Sequence, residues 1–262
     1  MKLSISNIGW PESSDDWMYE RMGRYGYEGL EIAPTRIFPE SPYEQLEEAY
    51  RWKKELQSRY GLAVSSMQSI WYGRSENLFG SMRERNALTA YTKKAVDFAE
   101  TVGCGNLVFG CPKNRSIPEH RDPKTVVQFF RELGNYAYAH NTVIAMEANP
   151  PIYHTNFLNT TEEAMAFVEL VDAEGFRLNA DIGTMIANGE DITILQGRES
   201  LLNHVHISEP GLRLIQKRKL HLELADLLRR VDYQGFVSIE IGNQPDRDSL
   251  MESMKYVKEI FG

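Results

Sequence analysis

The chain has 262 residues, of which 42% are hydrophobic and 25% are charged, and its net charge is −8 at pH 7. This composition excludes disordered, collagen-like and disulfide-stapled proteins, and the negative charge disfavours binding to the phosphate backbone of nucleic acids. The sequence has neither a long apolar stretch nor the apolar core of a secretion signal near its start. We therefore expect a soluble, cytoplasmic protein without a nucleic-acid or membrane partner.

Short β-branched or aromatic runs alternate with longer segments of helical periodicity, which is typical of a parallel sheet. The sequence predicts eight strands, at Leu3–Ile8, Gly29–Ile32, Leu62–Gln68, Asn106–Phe109, Thr142–Glu147, Phe176–Asp181, His204–Ser208 and Phe236–Ile241. Amphipathic helices are predicted between and after them, at Tyr43–Arg59, Arg83–Val102, Pro123–His140, Glu162–Val171, Leu222–Val231 and Asp248–Phe261. Glycines before the next strand are expected to end several helices in the left-handed conformation, at Gly26, Gly61, Gly103 and Gly175.

The number of strand–helix units predicts the architecture. Eight units in 262 residues give about 33 residues each, and a (β/α)8 barrel typically has ~250 residues. A doubly wound sheet is the alternative fold, but the usual glycine-rich phosphate-binding motifs do not occur in this sequence. The sequence therefore predicts an α/β fold, a single (β/α)8 TIM barrel, with residues 1–262 forming one domain.

Four polar residues stand at or near the ends of the last four predicted strands. They are Glu147, Asp181, His206 and Glu240. Because active sites of such barrels lie at the C-terminal strand ends, and these positions are about one repeat apart, we expect the four side chains to meet. Three acids converge in a buried site only where a cation offsets their charge. The sequence therefore predicts one divalent metal ion, which is Mn²⁺, Zn²⁺, Mg²⁺ or Co²⁺.

Strand 7 offers two histidines for this site. The two-residue period of a strand points both His204 and His206 into the barrel. His206 lies nearer the C-terminal end of the strand, where the site is expected. We therefore predict that His206 is the ligand and that His204 fills a polar layer beneath it.

Six motifs are similar to those of one superfamily over essentially the whole chain. They are Gly26-Tyr-Glu-Gly-Leu-Glu31, Met146-Glu147, Asn156-Phe-Leu-Asn159, Asp181-Ile-Gly-Thr184, His204-Val-His-Ile-Ser-Glu209 and Tyr233-Gln-Gly-Phe-Val-Ser-Ile-Glu240. Through them the chain resembles the xylose isomerase-like barrels, a superfamily of sugar isomerases, sugar epimerases and endonuclease IV. The motifs are specific to the superfamily but not to one reaction.

The resemblance implies roles for the four polar residues. In the sugar epimerases of this group, residues matching Glu147, Asp181, His206 and Glu240 bind one divalent metal ion. In ketose 3-epimerases the two glutamates, here Glu147 and Glu240, also move the proton on either face of the carbon next to the carbonyl. The resemblance therefore implies a metal-dependent enzyme, a sugar or sugar-phosphate isomerase or epimerase that acts through an enediolate.

Three positions depart from the ketose 3-epimerase pattern. Thr184 stands where those enzymes have a histidine, and Leu212 stands where they have an arginine. The segment after Glu147 is one residue longer, which puts Tyr153 and His154 where a substrate-binding glutamate would fall. These departures leave a dehydratase acting on a polyol or a shikimate-like acid as the alternative. A non-enzymatic binding barrel and an endonuclease are weaker alternatives, and the net charge disfavours the endonuclease.

Other residues are candidates for contacts with a small-molecule sugar. The candidate substrate-binding residues are Lys113, His154, Glu209 and Glu31. The alternative role of Glu209 is to cap the loop, and the alternative role of Glu31 is to balance the charge of a nearby cation. Arg115 is expected to be a solvated loop charge, and four loop aromatics are expected to pack on the barrel rim: Trp10, Phe38, Trp71 and Tyr72. A homo-oligomer is compatible with the sequence, which does not determine the oligomeric state.

Overall fold

The computed structural model describes residues 1–120, 122–244 and 246–262, and in them eight parallel strands close into one barrel in chain order. The strands are β1 Lys2–Ser6, β2 Gly29–Ile32, β3 Ala63–Met67, β4 Leu107–Phe109, β5 Ile144–Glu147, β6 Phe176–Asp181, β7 Leu202–Ser208 and β8 Phe236–Glu240. Strand β1 pairs with both β2 and β8, which closes the barrel. The predicted α/β class and TIM-barrel architecture are confirmed.

Helices connect the strands. They are α1 Asp15–Arg24, α2 Pro34–Ile37, α3 Leu46–Tyr60, α4 Met82–Val102, α5 Val127–Ala139, α6 Thr161–Val171, α7 Ile182–Asn188, α8 Lys219–Arg230 and α9 Arg247–Phe261. The predicted helix ranges do not include α1. The amphipathic pattern also predicts neither α2 nor α7, because 4 and 7 residues are too few to show a helical period. In the part of the chain that the structure describes, none of the helices has the length and apolar character to span a bilayer.

Local sequence signals explain where several helices begin and end. Helix α4 begins with a capping box in which Ser81 and Glu84 each bond the backbone N–H of the other. Helices α3 and α4 end at Gly61 and Gly103, with φ of 71° and 69°, as the sequence predicts. Both glycines avoid the cost that a Cβ atom meets in the left-handed conformation.

Gly175 has a different role from the predicted one. Helix α6 ends at Asp172, which itself adopts the left-handed conformation with φ of 47°. A Cβ atom at Gly175 would instead clash with the backbone carbonyl of Gly134 in α5. The glycine at this position is therefore required because helix α5 packs closely against the turn that leads into β6.

Apolar side chains fill the space between the barrel and the helices. Phe130 of α5 packs against Phe109 of β4 and Phe176 of β6, with ring centroids 4.9 and 5.1 Å apart. All three rings are at most 1% exposed. Because burial of one such side chain stabilises the fold by ~1.5–3 kcal/mol, this layer fixes the strands that carry the site residues.

The barrel interior below its C-terminal rim is polar. Gln68 Nε2 donates hydrogen bonds to Ser6 Oγ at 2.5 Å and to Glu31 Oε1 at 3.1 Å. His204 is 1% exposed, and its Nε2 lies 3.0 Å from Glu31 Oε2. These side chains form a polar layer directly beneath the ends of the strands, and His204 belongs to it.

Candidate active site

Four neighbouring strands bring the predicted ligand residues to one place at the rim. Glu147 ends β5, Asp181 ends β6 and Glu240 ends β8, while His206 lies in β7. The pairing register aligns Glu147 with Asn179, Asp181 with His206, and Ser208 with Glu240, so each of the four residues lies within two residues of the next one's position in the ladder. One ligand atom from each of the four residues lies within 4.8 Å of the others. The structure therefore brings these four side chains together.

Hydrogen bonds orient the members of this cluster. His206 Nδ1 lies 2.9 Å from Glu147 Oε1 and 3.4 Å from Glu240 Oε2. Asp181 accepts hydrogen bonds from the backbone N–H of Thr184 at 2.9 Å and from the Ser208 hydroxyl. Asp181 is also the N-cap of α7, so the start of that helix fixes its side chain.

Burial and mutual charge perturb these groups. Burial raises the pKa of Glu240, and burial together with the charge of Glu147 raises the pKa of Asp181. Burial alone would lower the pKa of His206, but the facing carboxylates of Glu31 and Glu240 outweigh it and hold this pKa well above its usual range. The carboxylates therefore resist being ionised together, and a positive charge among them relieves that cost.

The donor set fits a divalent cation. Three carboxylates and one imidazole each offer a ligand atom, and oxygen-rich sets of this kind suit Mn²⁺, Mg²⁺, Co²⁺ and Zn²⁺. Ligand atoms on one ion lie at most ~4.4 Å apart when each bond is ~2.2 Å. Since the four atoms lie within 4.8 Å of one another, a small contraction is enough for all of them to reach one ion.

Glu31 lies below this cluster and contacts His206, a candidate ligand. Its Oε2 is 2.9 Å from His206 Nε2, and its side chain is fully buried. Burial alone would raise the pKa of Glu31, but His206 and His204 outweigh it and keep the pKa well below its usual range. Glu31 is therefore too deep to contact substrate hydroxyls, and of its two predicted roles the structure favours the balancing of positive charge.

Asn179 belongs to the site but is missed by the sequence analysis. Its Nδ2 lies 2.6 Å from Glu147 Oε1 and 3.2 Å from His206 Nδ1. Asn179 precedes Asp181 by two residues on β6, so the two-residue period of a strand puts both on the inner face. That spacing is the sequence signal that points to Asn179.

A cavity of about 600 Å³ opens over the cluster at the C-terminal rim, and we call it the acidic cavity. Glu147, Asp181 and Glu240 line it, and so does the exposed Lys113, one of the predicted substrate contacts. His154, another predicted substrate contact, is exposed and does not line the cavity. Its backbone is left-handed, with φ of 58°, at the end of the turn Pro151–Tyr153, and Tyr153 lines the cavity instead.

Glu209 is not in the cavity lining. Its carboxylate accepts hydrogen bonds from Arg218 Nε at 2.7 Å and from the backbone N–H of Gln216 at 3.1 Å. The side chain is 1% exposed, and these contacts hold the loop after β7 against the start of α8. Of the two predicted roles, the structure therefore favours loop capping and does not bring Glu209 to a substrate.

Arg115 is buried, contrary to the solvated position expected from the sequence. Its guanidinium donates to the carbonyl oxygens of Glu147 at 2.8 Å and Leu158 at 3.3 Å, and burial lowers its pKa to about 10. Arg115 thus joins the loop after β4 to the end of β5. The partners are backbone carbonyls, which leave no residue-specific signal in the sequence.

Two of the three departures from the ketose 3-epimerase pattern, Thr184 and Leu212, lie at the site. Thr184 Oγ1 lies 2.8 Å from Asp181 Oδ2, so the residue at the histidine position holds a candidate ligand. Leu212, at the arginine position, lines the acidic cavity, whereas Arg213 donates to the carbonyl of Pro210 and is outside the lining. This part of the cavity wall is therefore apolar where those epimerases have a cation.

Comparisons with known proteins agree with this architecture. Comparison with curated protein sequences finds no match to this chain. Among solved structures, D-psicose 3-epimerase from Clostridium cellulolyticum H10 has a TM-score of 0.79 at 17% identity, covering 100% of this chain and 99% of its own. The 3-keto-D-glucoside 4-epimerase of E. coli has a TM-score of 0.77 at 20% identity, with 99% of each chain covered.

A nuclease relative shares the same fold. The family 2 AP endonuclease of Brucella melitensis has a TM-score of 0.72 at 17% identity, covering 95% of this chain and 96% of its own. At these identities the likeness is one of fold. The family model described as xylose isomerase-like TIM barrel matches residues 20–260. The chain therefore belongs to the xylose isomerase-like TIM barrel family.

Proposed function

We propose that this protein is a divalent-metal-dependent isomerase or epimerase of a sugar or sugar phosphate. The observation that carries the proposal is the cluster of Glu147, Asp181, His206 and Glu240 at the floor of the acidic cavity. The two epimerases with the same fold act, as their names state, on D-psicose and a 3-keto-D-glucoside, both of which contain a carbonyl. This likeness supports a keto sugar or an aldo sugar as the substrate.

Glu147 and Glu240 are the proposed acid and base. The chemistry that a divalent cation held by the four residues supplies is polarisation of a substrate carbonyl, which makes the neighbouring C–H more acidic. Glu147 and Glu240 stand on β5 and β8, three strands apart around the barrel, and both line the cavity. One carboxylate removes the proton from the carbon next to the carbonyl, and the other returns a proton to it or to its neighbour. Lys113, at the rim, contacts the substrate.

Deuterium incorporation tests the proton transfer. Turnover of a substrate sugar in D₂O is expected to place deuterium on a carbon next to the carbonyl, because the proton that the second carboxylate returns exchanges with the solvent. The measurement is proton NMR or mass spectrometry of the recovered sugar after incubation with Mn²⁺-loaded protein. D-Fructose and D-psicose are suitable first substrates, and protein-free incubation is the control.

Two other outcomes of that experiment have defined meanings. Product without deuterium would contradict the carboxylate mechanism and favour a hydride shift. Loss of water from the substrate would favour the dehydratase alternative, which begins with the same removal of a proton.

A second test concerns Glu31. We propose that its hydrogen bond to His206 Nε2 fixes the imidazole so that Nδ1 faces the carboxylates. Glu31→Gln is expected to weaken Mn²⁺ binding by ~10–100-fold, which is the usual effect of removing such a partner. Metal affinity is measured by competition with a chelating dye, and Glu28→Gln, at an exposed position just before β2, is the matched control. Equal affinity of the variant and the native protein would contradict this role.

A further inference from the structure

A second cavity adjoins the acidic cavity at the same end of the barrel. Its volume is about 650 Å³, and it lies over the ends of β1, β2 and β3. Ser69, Tyr72, Gly73 and Arg74, from the loop after β3, line both cavities. This loop is therefore a wall that the two cavities share, and Tyr72 borders both of them. We call the second space the outer cavity.

The outer cavity differs from the acidic cavity in charge. Among the described residues that line it there is no carboxylate, and its two arginines are already paired. Arg36 lies 2.6 Å from Asp15, and Arg74 pairs with Glu76. The lining adds little net charge, so it provides no unpaired cation for a phosphate or carboxylate group.

The remaining lining suits a neutral, partly apolar ligand. Hydroxyl groups come from Thr35 and Ser41, and apolar surface comes from Ile8, Pro39 and Pro42. Ligand sites combine apolar walls with a few polar groups that set orientation. A sugar unit has both kinds of surface, because its ring presents C–H groups on its faces and hydroxyls around its edge.

Tyr72 stands out among the aromatic residues of the rim. Trp10, Phe38 and Trp71 are between 1% and 9% exposed and pack as the sequence predicts, whereas Tyr72 is 70% exposed in the wall between the two cavities. An exposed aromatic ring at a concave surface provides a face against which the C–H side of a sugar packs. Tyr72 thus lies where the second unit of a substrate would begin.

We infer that the substrate consists of two linked units: a reacting sugar in the acidic cavity and a neutral glycosyl unit in the outer cavity. This inference rests on the proposed function, because it places the reacting carbon over Glu147 and Glu240. The two cavities measure about 600 and 650 Å³, and sites of ~300–1,000 Å³ hold ligands of drug size, so each cavity has room for more than one sugar ring. Two linked rings use both cavities and the shared wall.

The test compares a single-ring ketose with its glucosylated forms. Calorimetric titration of the protein in Mn²⁺ buffer uses D-fructose and four glucosyl-fructoses that differ in linkage: turanose, maltulose, leucrose and isomaltulose. At least one of the four is expected to bind about 10-fold more tightly than D-fructose, which corresponds to ~1.4 kcal/mol. If none of them binds more tightly, the inference is wrong.

Two variants assign this preference to the outer cavity. Thr35→Trp fills the outer cavity and Tyr72→Ala removes the exposed ring, and each is expected to reduce the preference to about 2-fold or less. Tyr72→Ala also serves if Thr35→Trp does not fold, because Tyr72 is 70% exposed. The control Gln57→Trp adds the same ring at an exposed position of α3, outside both cavities, and is expected to keep the preference. A preference that survives both variants would contradict the inference.

The two proposals fail in different ways. Deuterium exchange into D-fructose without any preference for two rings would leave the proposed reaction standing and overturn the two-unit substrate. Tighter binding of a glucosyl-fructose with no exchange into any tested sugar would support the two-unit site and contradict the proposed reaction.

Discussion

Glu240→Gln is expected to reduce turnover by ~10²–10⁴-fold while the barrel remains folded. The amide has nearly the same shape as the carboxylate but does not accept the substrate proton. Glu240 lines the acidic cavity and lies 3.4 Å from His206, so the change also affects a proposed ligand. Turnover is therefore measured at saturating Mn²⁺, and the metal content of each sample is measured by elemental analysis.

Comparison with a distant acid controls for the loss of a negative charge. Glu252→Gln changes an exposed residue of α9 and is expected to keep turnover within about 2-fold of the native value, because surface changes of this kind have small effects. If Glu240→Gln retained its metal and turned over at close to the native rate, Glu240 would not be the base. The acid–base role would then pass to another group in the cavity, such as Lys113.

Removal of the metal is expected to abolish turnover, and its return is expected to raise the melting temperature. At 100 times the dissociation constant, a bound ion stabilises the folded state by ~2.7 kcal/mol. For a chain of this size that corresponds to an increase of about 5–10 °C. The measurement is thermal unfolding of chelator-treated protein with and without added Mn²⁺, with turnover followed in the same samples.

The Asp181→Asn variant tests whether stabilisation by Mn²⁺ depends on the carboxylate charge of Asp181. Asparagine caps a helix about as well as aspartate, so α7 keeps its N-cap while the site loses a charge. The Asp181→Asn variant is expected to lose most of the increase in melting temperature that Mn²⁺ causes. Asp191→Asn makes the same exchange at the N-cap of the turn Ile192–Leu195 and is expected to keep the full increase. An equal response of Asp181→Asn and the native protein would contradict the ligand role of Asp181.

The order of strands and helices is determined by local sequence. Buried parallel strands have continuous apolar runs, and amphipathic helices have a 3.6-residue period, so both can be recognised without a structure. The chain order of the strands also equals their order around the barrel, so the prediction places Glu147, Asp181, His206 and Glu240 on four consecutive strands. The cluster of candidate ligands was therefore predictable from polar residues at or near the strand ends.

Only the tertiary structure determines what each remaining polar residue contacts. Arg115 and Glu209 are both buried charges, but Arg115 binds the backbone carbonyls of Glu147 and Leu158, and Glu209 binds an arginine nine residues later. Glu31 is far from His206 in sequence and bonds to it because both side chains are buried inside the closed barrel, Glu31 on β2 and His206 on β7. Such contacts depend on distances between elements, which the periodicity of a single element does not contain.

The tertiary structure also determines which side chains of the rim are buried and which are exposed. The sequence places Trp71 and Tyr72 in one loop, and only the fold buries the first and leaves the second exposed between two cavities. Whether a loop side chain packs or faces a cavity depends on how neighbouring loops fit together, since no regular period constrains a loop. The fold and the candidate ligand set are thus determined by local patterns, whereas the lining of the cavities is determined by the packing of loops from different strands.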